Sequence, residues 1–379
     1  MIKKWYILPL VIFFWLIFLS KSTPSLTNLE AIDLVTSDHN FDIVRWEFMA
    51  IWKKAQARSL NLPAYLPTEK KVQLIKAYYS SPDLATQVGL DPDSYALVLE
   101  SFIENQFEIA ISKNNLTGNF SIHPPVLYFT TPLPLNLIVS PRDIIQTEFT
   151  KVLDPIPPAE LDEFEVNLDK RYGVSTIVEE IGGYSTYPTM VMRTSNFRWQ
   201  SETIAHEWIH IYLATKPLGL NYTSQNLRTF NETVASIAGE ELGRMVFETY
   251  YASPIPAPQT ARNEPNPSPP VFDYQRFMFD TRNKVDSLLN EKLIEQAESY
   301  MRDRKAILNQ NGYGIRKINQ AFFAFHGSYS SNPISAAGSD PIGDALRRFR
   351  ADSPNLRVFL EKVSQISTDQ EVEEFINKH

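Results

Sequence analysis

The spacing of two histidines, in Ile204-Ala205-His206-Glu207-Trp208-Ile209-His210-Ile211-Tyr212-Leu213, constrains this chain more than any other feature. On an α-helix, residues four apart lie one above the other, so two imidazoles at that spacing can converge on one point. The pattern predicts a helix over residues 201–215, stopped by Pro217. Ile204, Trp208, Ile209 and Leu213 are apolar, which predicts a buried helix whose histidines have partners. Glu207, one position round from His206, can then reach a water on a metal held by His206 and His210 without becoming a ligand itself. The competing reading is a solvated helix with two surface histidines.

What else could hold a metal is limited by composition. The 379 residues include no cysteine, which excludes disulfides, thiolate sites and cysteine nucleophiles. Any metal must be held by His, Asp and Glu. Only His39, His123, His206, His210, His326 and His379 are available, and two of them fall in the one motif. With 43% hydrophobic and 21% charged residues, the chain has the composition of a globular protein with a real core. Its net charge is −8 and it carries no concentrated basic stretch, so nucleic acid is not an expected partner.

Lys3 and Lys4 precede an apolar run over residues 5–19, and Lys21 follows it. The 16 residues between Lys4 and Lys21 span roughly 24 Å as a helix, against a ~30 Å hydrocarbon core. Snorkelling lysines and local thinning close such a gap. The run is rich in Trp and Phe, and Ser20-Lys21-Ser22 is a poor cleavage site. An uncleaved membrane anchor is therefore the favoured reading, with a signal peptide cleaved on secretion as the alternative. The two lysines place the N-terminus inside and the remaining chain outside the cytoplasm.

Five regions follow from the pattern: the membrane segment (1–23), a helical N-terminal region (24–120), an α+β region with both motifs (121–252), a Pro-rich loop (253–272) and a helical C-terminal region (273–379). Short β-prone runs bounded by prolines occupy 126–130 and 137–139. Residues 159–171 read as a helix stopping at Gly173. The runs 175–181 and 186–194, separated by Gly182-Gly183, read as a hairpin. Residues 226–250 form a second long helix after the histidine helix. Seven prolines between 254 and 270 mark an extended segment. Residues 274–309 read as one long amphipathic helix, followed by helices over 315–325, 342–350, 356–365 and 370–377. The fold class is α+β, mostly helical, with a small sheet containing antiparallel strands beside the histidine helix.

A third ligand is needed for a catalytic metal site. Leu213 and Lys216 stand where a metzincin has its Gly and third His, which excludes that family. Further on, Phe230-Asn231-Glu232-Thr233-Val234-Ala235-Ser236 puts Glu232 in the second helix among apolar neighbours. A carboxylate there is either at the surface or paired, and a metal ion is a sufficient partner.

HExxH on one helix and Asn-Glu-x-x-Ala/Ser on the next resemble the gluzincin zinc metallopeptidases. Phe230-Asn231-Glu232, with Ile318-Asn319-Gln320-Ala321 and Tyr329, also resembles a bacterial group of zinc aminopeptidases. The similarity covers roughly residues 175–365. It implies a thermolysin-like fold and one Zn2+ per chain, held by His206, His210 and Glu232. It further implies Glu207 as general base, a peptide or protein substrate, and Tyr329 or His326 as the donor to the developing oxyanion. In that family an edge strand at the place of residues 186–192 pairs with the substrate backbone, so residues 183–187 would border the cleft. The 21 residues between His210 and Glu232 are slightly more than in the best-known members. Ser236 stands where the family often has an Asp supporting a ligand histidine. The Gly-x-Met-Glu-Asn amine-binding motif of one large aminopeptidase family is absent; Glu179 and Glu180 are the carboxylates that could bind an α-amino group. Two other readings are a non-catalytic envelope scaffold or degenerate peptidase that keeps the fold, and a zinc hydrolase of non-peptide amides. The intact Glu207 argues against degeneracy.

Overall fold

The computed structural model describes residues 27–59, 72–77, 92–116, 123–222, 224–252, 272–328 and 341–379. The expected membrane segment and most of the Pro-rich loop lie outside the described residues. Among the described residues, no helix is long and apolar enough to cross a membrane. Helices α1 (Thr27–Val35), α2 (Ile43–Ser59) and α3 (Pro92–Lys113) come first. Strands β1 (Tyr128–Thr130), β2 (Leu135–Pro141) and β3 (Phe149–Leu153), helix α4 (Pro158–Tyr172), and strands β4 (Val174–Glu180), β5 (Gly183–Tyr184) and β6 (Thr189–Val191) follow. Helices then run to the C-terminus: α5 (Phe197–Leu213), the short α6 (Pro217–Leu220), α7 (Gln225–Tyr250), α8 (Tyr274–Asn290), α9 (Ile294–Gln310), α10 (Gln320–Ser328), α11 (Pro341–Asp352), α12 (Leu356–Val363) and α13 (Asp369–Lys378). This is a mostly helical α+β arrangement, as the sequence predicts. Gly173 ends α4 in the left-handed conformation, with φ 66°, a backbone that glycine adopts without penalty.

Two small sheets organise the first half. One is antiparallel in the order β3-β2-β4. Leu135, Leu137 and Val139 on β2 pack with Leu153, Val178, Leu161 and Leu168 under α1 and α4. Ile138 and Ile177 face the other way, into the core built by α8, α9 and α10. Helices therefore cover both faces, which is why β2 is buried almost end to end rather than alternating. The second sheet has the order β1-β6-β5, with β1 parallel to β6 and β6 antiparallel to β5.

The outer edge of β1 is closed by side chains. Glu100, Glu104 and Glu108, one helical turn apart on α3, accept the N–H groups of Thr130 (2.6 Å), Tyr128 (3.1 Å) and Val126 (2.6 Å). Four helical residues rise about 6 Å and two strand residues about 6.6 Å, so the two rows stay in step. Lys54 from α2 lies buried between Glu100 (2.8 Å) and Glu104 (2.7 Å) and offsets part of their charge. Burial still pushes the Glu100 carboxyl up, against the pull of Lys54.

Two expectations need correction. Residues 175–181 and 186–194 are not a hairpin with each other. β4 instead finds a seven-residue partner in β2, and β6 pairs with β1 and the short β5. Gly182-Gly183 is where the chain changes sheets. Likewise residues 274–309 are two helices, not one. Lys292 takes φ 62° and the chain folds back, with the Leu293 N–H on the Leu288 carbonyl at 2.9 Å. One straight helix of that length would extend about 54 Å. Folded back, Met278, Val285 and Leu289 share a core with Ala297, Met301 and Leu308.

α5 and α7 form the centre of the largest core, which takes in Ile204, Ala205, Trp208 and Ile209 of α5 and Val234, Ala235, Ala238 and Leu242 of α7. Their contact runs along Ala235, Gly239 and Gly243, spaced four apart on one face of α7. A Cβ at position 239 would lie 2.6 Å from the His206 Cα, and one at 243 would meet the backbone of Ser201 and Glu202. The two backbones touch where a side chain would hold them apart. Gly239→Ala is expected to destabilise the fold by about 1–3 kcal/mol through overpacking and to shift His206 off its position. Thermal denaturation with and without added zinc measures both effects; a variant as stable as wild type in both states contradicts this packing.

Candidate metal centre

Both site helices are fixed at their starts. Asn196 caps α5 by accepting the Trp199 N–H at 3.1 Å, and Ser224 caps α7 by accepting the Leu227 N–H at 3.1 Å. Trp208, on the far side of α5 from α7, donates its indole N–H to the Pro124 carbonyl at 2.9 Å and fixes the rotation of the helix. His206 and His210 then point their rings to one side, in an edge-on arrangement with centroids 4.7 Å apart.

Three ligand-type atoms converge there. His206 Nε2 and His210 Nε2 are 3.1 Å apart, His210 Nε2 is 3.2 Å from Glu232 Oε2, and His206 Nε2 is 3.6 Å from the same oxygen. Tetrahedral ligand atoms at ~2.1 Å from a zinc ion stand roughly 3.4 Å from one another. The three separations bracket that value, so the residues fit a zinc ion. His210 Nδ1 is 2.8 Å from Asn231 Oδ1. An amide oxygen only accepts, so Nδ1 carries the hydrogen and the neutral ring offers its Nε2 lone pair to the site.

Electrostatics express the same convergence. Burial pulls His210 down, but Glu232 beside it, with Glu207 and Asn231, pushes it up to about 9. Burial opposes ionisation of Glu232 too, yet His210 and His206 hold its carboxyl well below the usual carboxylate range. The centre demands positive charge, whether a proton or a metal ion. The second Glu232 oxygen is occupied: Tyr222 donates its hydroxyl to Oε1 at 2.9 Å, leaving Oε2 alone to face the imidazoles. Burial, with the Glu232 charge, raises the Tyr222 hydroxyl well above its ordinary value, so it keeps its proton.

Glu207 is held on the opposite flank. Its Oε2 accepts the Ser185 hydroxyl. Gly183 on β5 makes room for it, since a Cβ there would lie 2.6 Å from Oε1. The loop carrying Ser185 is tied down by the Tyr187 N–H, which donates to Glu47 of α2 at 2.8 Å, and by the Tyr187 hydroxyl on the Pro125 carbonyl at 3.2 Å. Tyr184 is pushed up to about 12 by burial and by the Glu207 charge, so it too remains protonated.

The run 186–192, expected at a sheet edge, instead holds β6 between β1 and β5, so the edge that lies open beside Glu207 is that of β5. Tyr184 pairs with Met190, and the Met192 N–H bonds the Gly182 carbonyl at 2.9 Å. By antiparallel alternation the intervening Gly183 turns its N–H and C=O away from β6, with no partner among the described residues.

The structure thus brings together His206, Glu207, His210 and Glu232. It does not bring His326 to them. His326, near the end of α10, sits 3.8 Å from Glu179 and packs on Phe322 at 4.2 Å between ring centroids. Tyr329 lies outside the described residues. Where the family often has a supporting Asp this chain has Ser236, and His210 is supported instead by Asn231, inside the Asn-Glu motif itself. Ser185 falls in the 183–187 segment expected to border the cleft, but its bond to Glu207, like that of Tyr222 to Glu232, carries no signal in the sequence, because only the folded chain brings these loop residues to their partners. Comparison with models of known families, with characterised proteins and with solved structures gives no match, so the chemistry is argued from this geometry.

Because His210 holds a proton below about 9, zinc must displace it. Zinc affinity is expected to fall about tenfold for each pH unit below that value, with a proton released on binding at pH 7. Calorimetry in buffers of different ionisation enthalpy measures the release; none at pH 7 contradicts the His210–Glu232 pairing. Asn231→Ala is expected to weaken zinc binding about 10–100-fold, read by chelator competition.

Proposed function

We propose that the protein is a zinc-dependent peptidase of the gluzincin type. The observation that carries this reading is the convergence of His206, His210 and Glu232 on one point, with the Glu207 carboxylate held alongside by Ser185. Bound there, zinc supplies Lewis acidity, which acidifies water and polarises a carbonyl at neutral pH. A purely structural zinc site has no use for Glu207, and it closes with four protein ligands, where this cluster holds three among the described residues.

The chain's own groups account for the other steps. Ser185 fixes Glu207 through Oε2, which leaves Oε1 to take a proton from the attacking water and pass it to the leaving amine. Tyr222 is the protonated hydroxyl on Glu232; by turning its one hydrogen from Oε1 to the substrate carbonyl oxygen it donates there as negative charge builds. This role falls to Tyr222 rather than to His326, which faces Glu179. The Gly183 N–H and C=O on the open edge of β5 accept an extended substrate backbone as an added strand. The apolar run at 5–19 supports a site outside the cytoplasm on a membrane anchor.

Glu207→Gln is expected to lower kcat by about 10²–10⁴-fold or more with zinc still bound. Tyr222→Phe is expected to lower kcat about 10²–10³-fold with little change in KM. A peptide-library digest read by mass spectrometry, run for wild type beside each variant, tests both. Undiminished hydrolysis by Glu207→Gln removes the general-base role; an unchanged kcat for Tyr222→Phe removes the donor.

A further inference from the structure

Arg228 is a cation in search of an anion. It lies four residues before Glu232 and three before Asn231, on the face of α7 that carries both. Its contacts are long and neutral: Nη2 donates to the Thr147 carbonyl at 3.4 Å and to Gln225 Oε1 at 3.3 Å. Its Nε is buried and has no hydrogen-bond partner. No carboxylate pairs with it among the described residues, in a chain that holds 44 acidic side chains. Arg304 also has only neutral hydrogen-bond partners among the described residues, but close ones, at 2.7 Å to Thr281 Oγ1 and 3.0 Å to the Phe277 carbonyl, and other part-buried arginines fork onto carboxylates. Arg142 forks onto Glu298 at 2.7 and 2.8 Å, and Arg350 onto Glu241 at 2.8 and 2.7 Å.

A guanidinium has five donors arranged to match a carboxylate. Leaving one of them buried and unused costs free energy that a ligand can recover. The place is specific as well. Arg228 is close enough to Tyr222 for its charge to act on that hydroxyl, and Tyr222 touches Glu232. Four helical residues separate Arg228 from the metal ligand, ~6 Å along the axis, and consecutive residues of a peptide are ~3.8 Å apart. A substrate carbonyl at Tyr222 thus brings a group on the neighbouring residue within reach of Arg228.

We propose that Arg228 binds a carboxylate of the substrate, carried by a residue next to the bond that is cut. The inference rests on the peptidase reading for its substrate, and on Arg228's own surroundings for its chemistry. Two sources offer such a group: the free C-terminus of a short peptide, or an Asp or Glu side chain. The favoured substrates are acidic at this subsite in either case.

The test uses full-length zinc-loaded protein and four matched fluorescent peptides. These end in a free or an amidated C-terminus, each with Asp or Asn beside the scissile position. Binding is measured by anisotropy on the Glu207→Gln background and hydrolysis on the wild-type background. Carboxylate-bearing peptides are expected to bind about 10–100-fold more tightly than their neutral partners. Arg228→Gln is expected to abolish that difference, raising KM for the acidic peptides only, while zinc content stays unchanged. Arg228→Lys restores part of it. The free-versus-amidated and Asp-versus-Asn pairs tell the two sources apart. Equal affinity for charged and neutral peptides, or an equal loss on all four in Arg228→Gln, overturns the proposal. Hydrolysis indifferent to charge removes the Arg228 assignment and leaves the peptidase reading standing. Arg228-dependent binding of acidic peptides without hydrolysis does the reverse.

Discussion

The site depends on how closely α5 and α7 approach. Helices separated by ordinary side chains would hold Glu232 away from the two imidazoles. Ala235, Gly239 and Gly243 remove that spacer along one stripe, and the His206 backbone settles against position 239. Glu232 lies seven residues before Gly239, two helical turns along nearly the same face. The packing that lets the backbones touch thereby sets the position of the third ligand. The rest of the molecule supports this pair. Trp208 fixes the rotation of α5, the C-terminal helices α11 to α13 pack against the same core, and the glutamate row on α3 holds the sheet that carries Gly183 and Ser185.

Close packing creates an electrostatic problem that only a cation solves. Two imidazole nitrogens and a carboxylate oxygen lie within 3.6 Å of each other. Without a metal the proton retained by His210 meets the demand; with one, the three lone pairs have the spacing of tetrahedral ligands. The neighbours remove the remaining freedom. Asn231 sets the hydrogen of His210, Tyr222 occupies one oxygen of Glu232, and Ser185 occupies one oxygen of Glu207. Each leaves one atom of its partner directed at the centre, which is the preorganisation that the proposed catalysis requires.

Much of this is legible in the sequence because helical periodicity is local. His206, Glu207 and His210 can be placed from their spacing alone, and Glu232 from an acidic residue inside an apolar helix. The helical C-terminal part and the α4 stop at Gly173 follow from the same kind of signal. What sequence misses depends on partners distant in the chain. The run 175–181 looks like half of a hairpin, but pairing with β2 outweighs the local signal at Gly182-Gly183. The break at Lys292 has neither Gly nor Pro to mark it; the shared core of α8 and α9 imposes it. Tyr222 and Ser185 carry no motif. They matter because the chain folds back past Glu232 and Glu207, and a turn residue gains its role only from what it lands beside.

We propose that this site is built for one zinc ion held by three ligands on two helices. Elemental analysis of the purified full-length protein tests it directly, with the Glu232→Ala variant measured in parallel. The account requires about one zinc per chain in wild type and loss of most of it in the variant. Wild-type protein prepared with zinc present and free of chelators, yet holding none, would contradict the account. So would a Glu232→Ala variant that keeps its full complement.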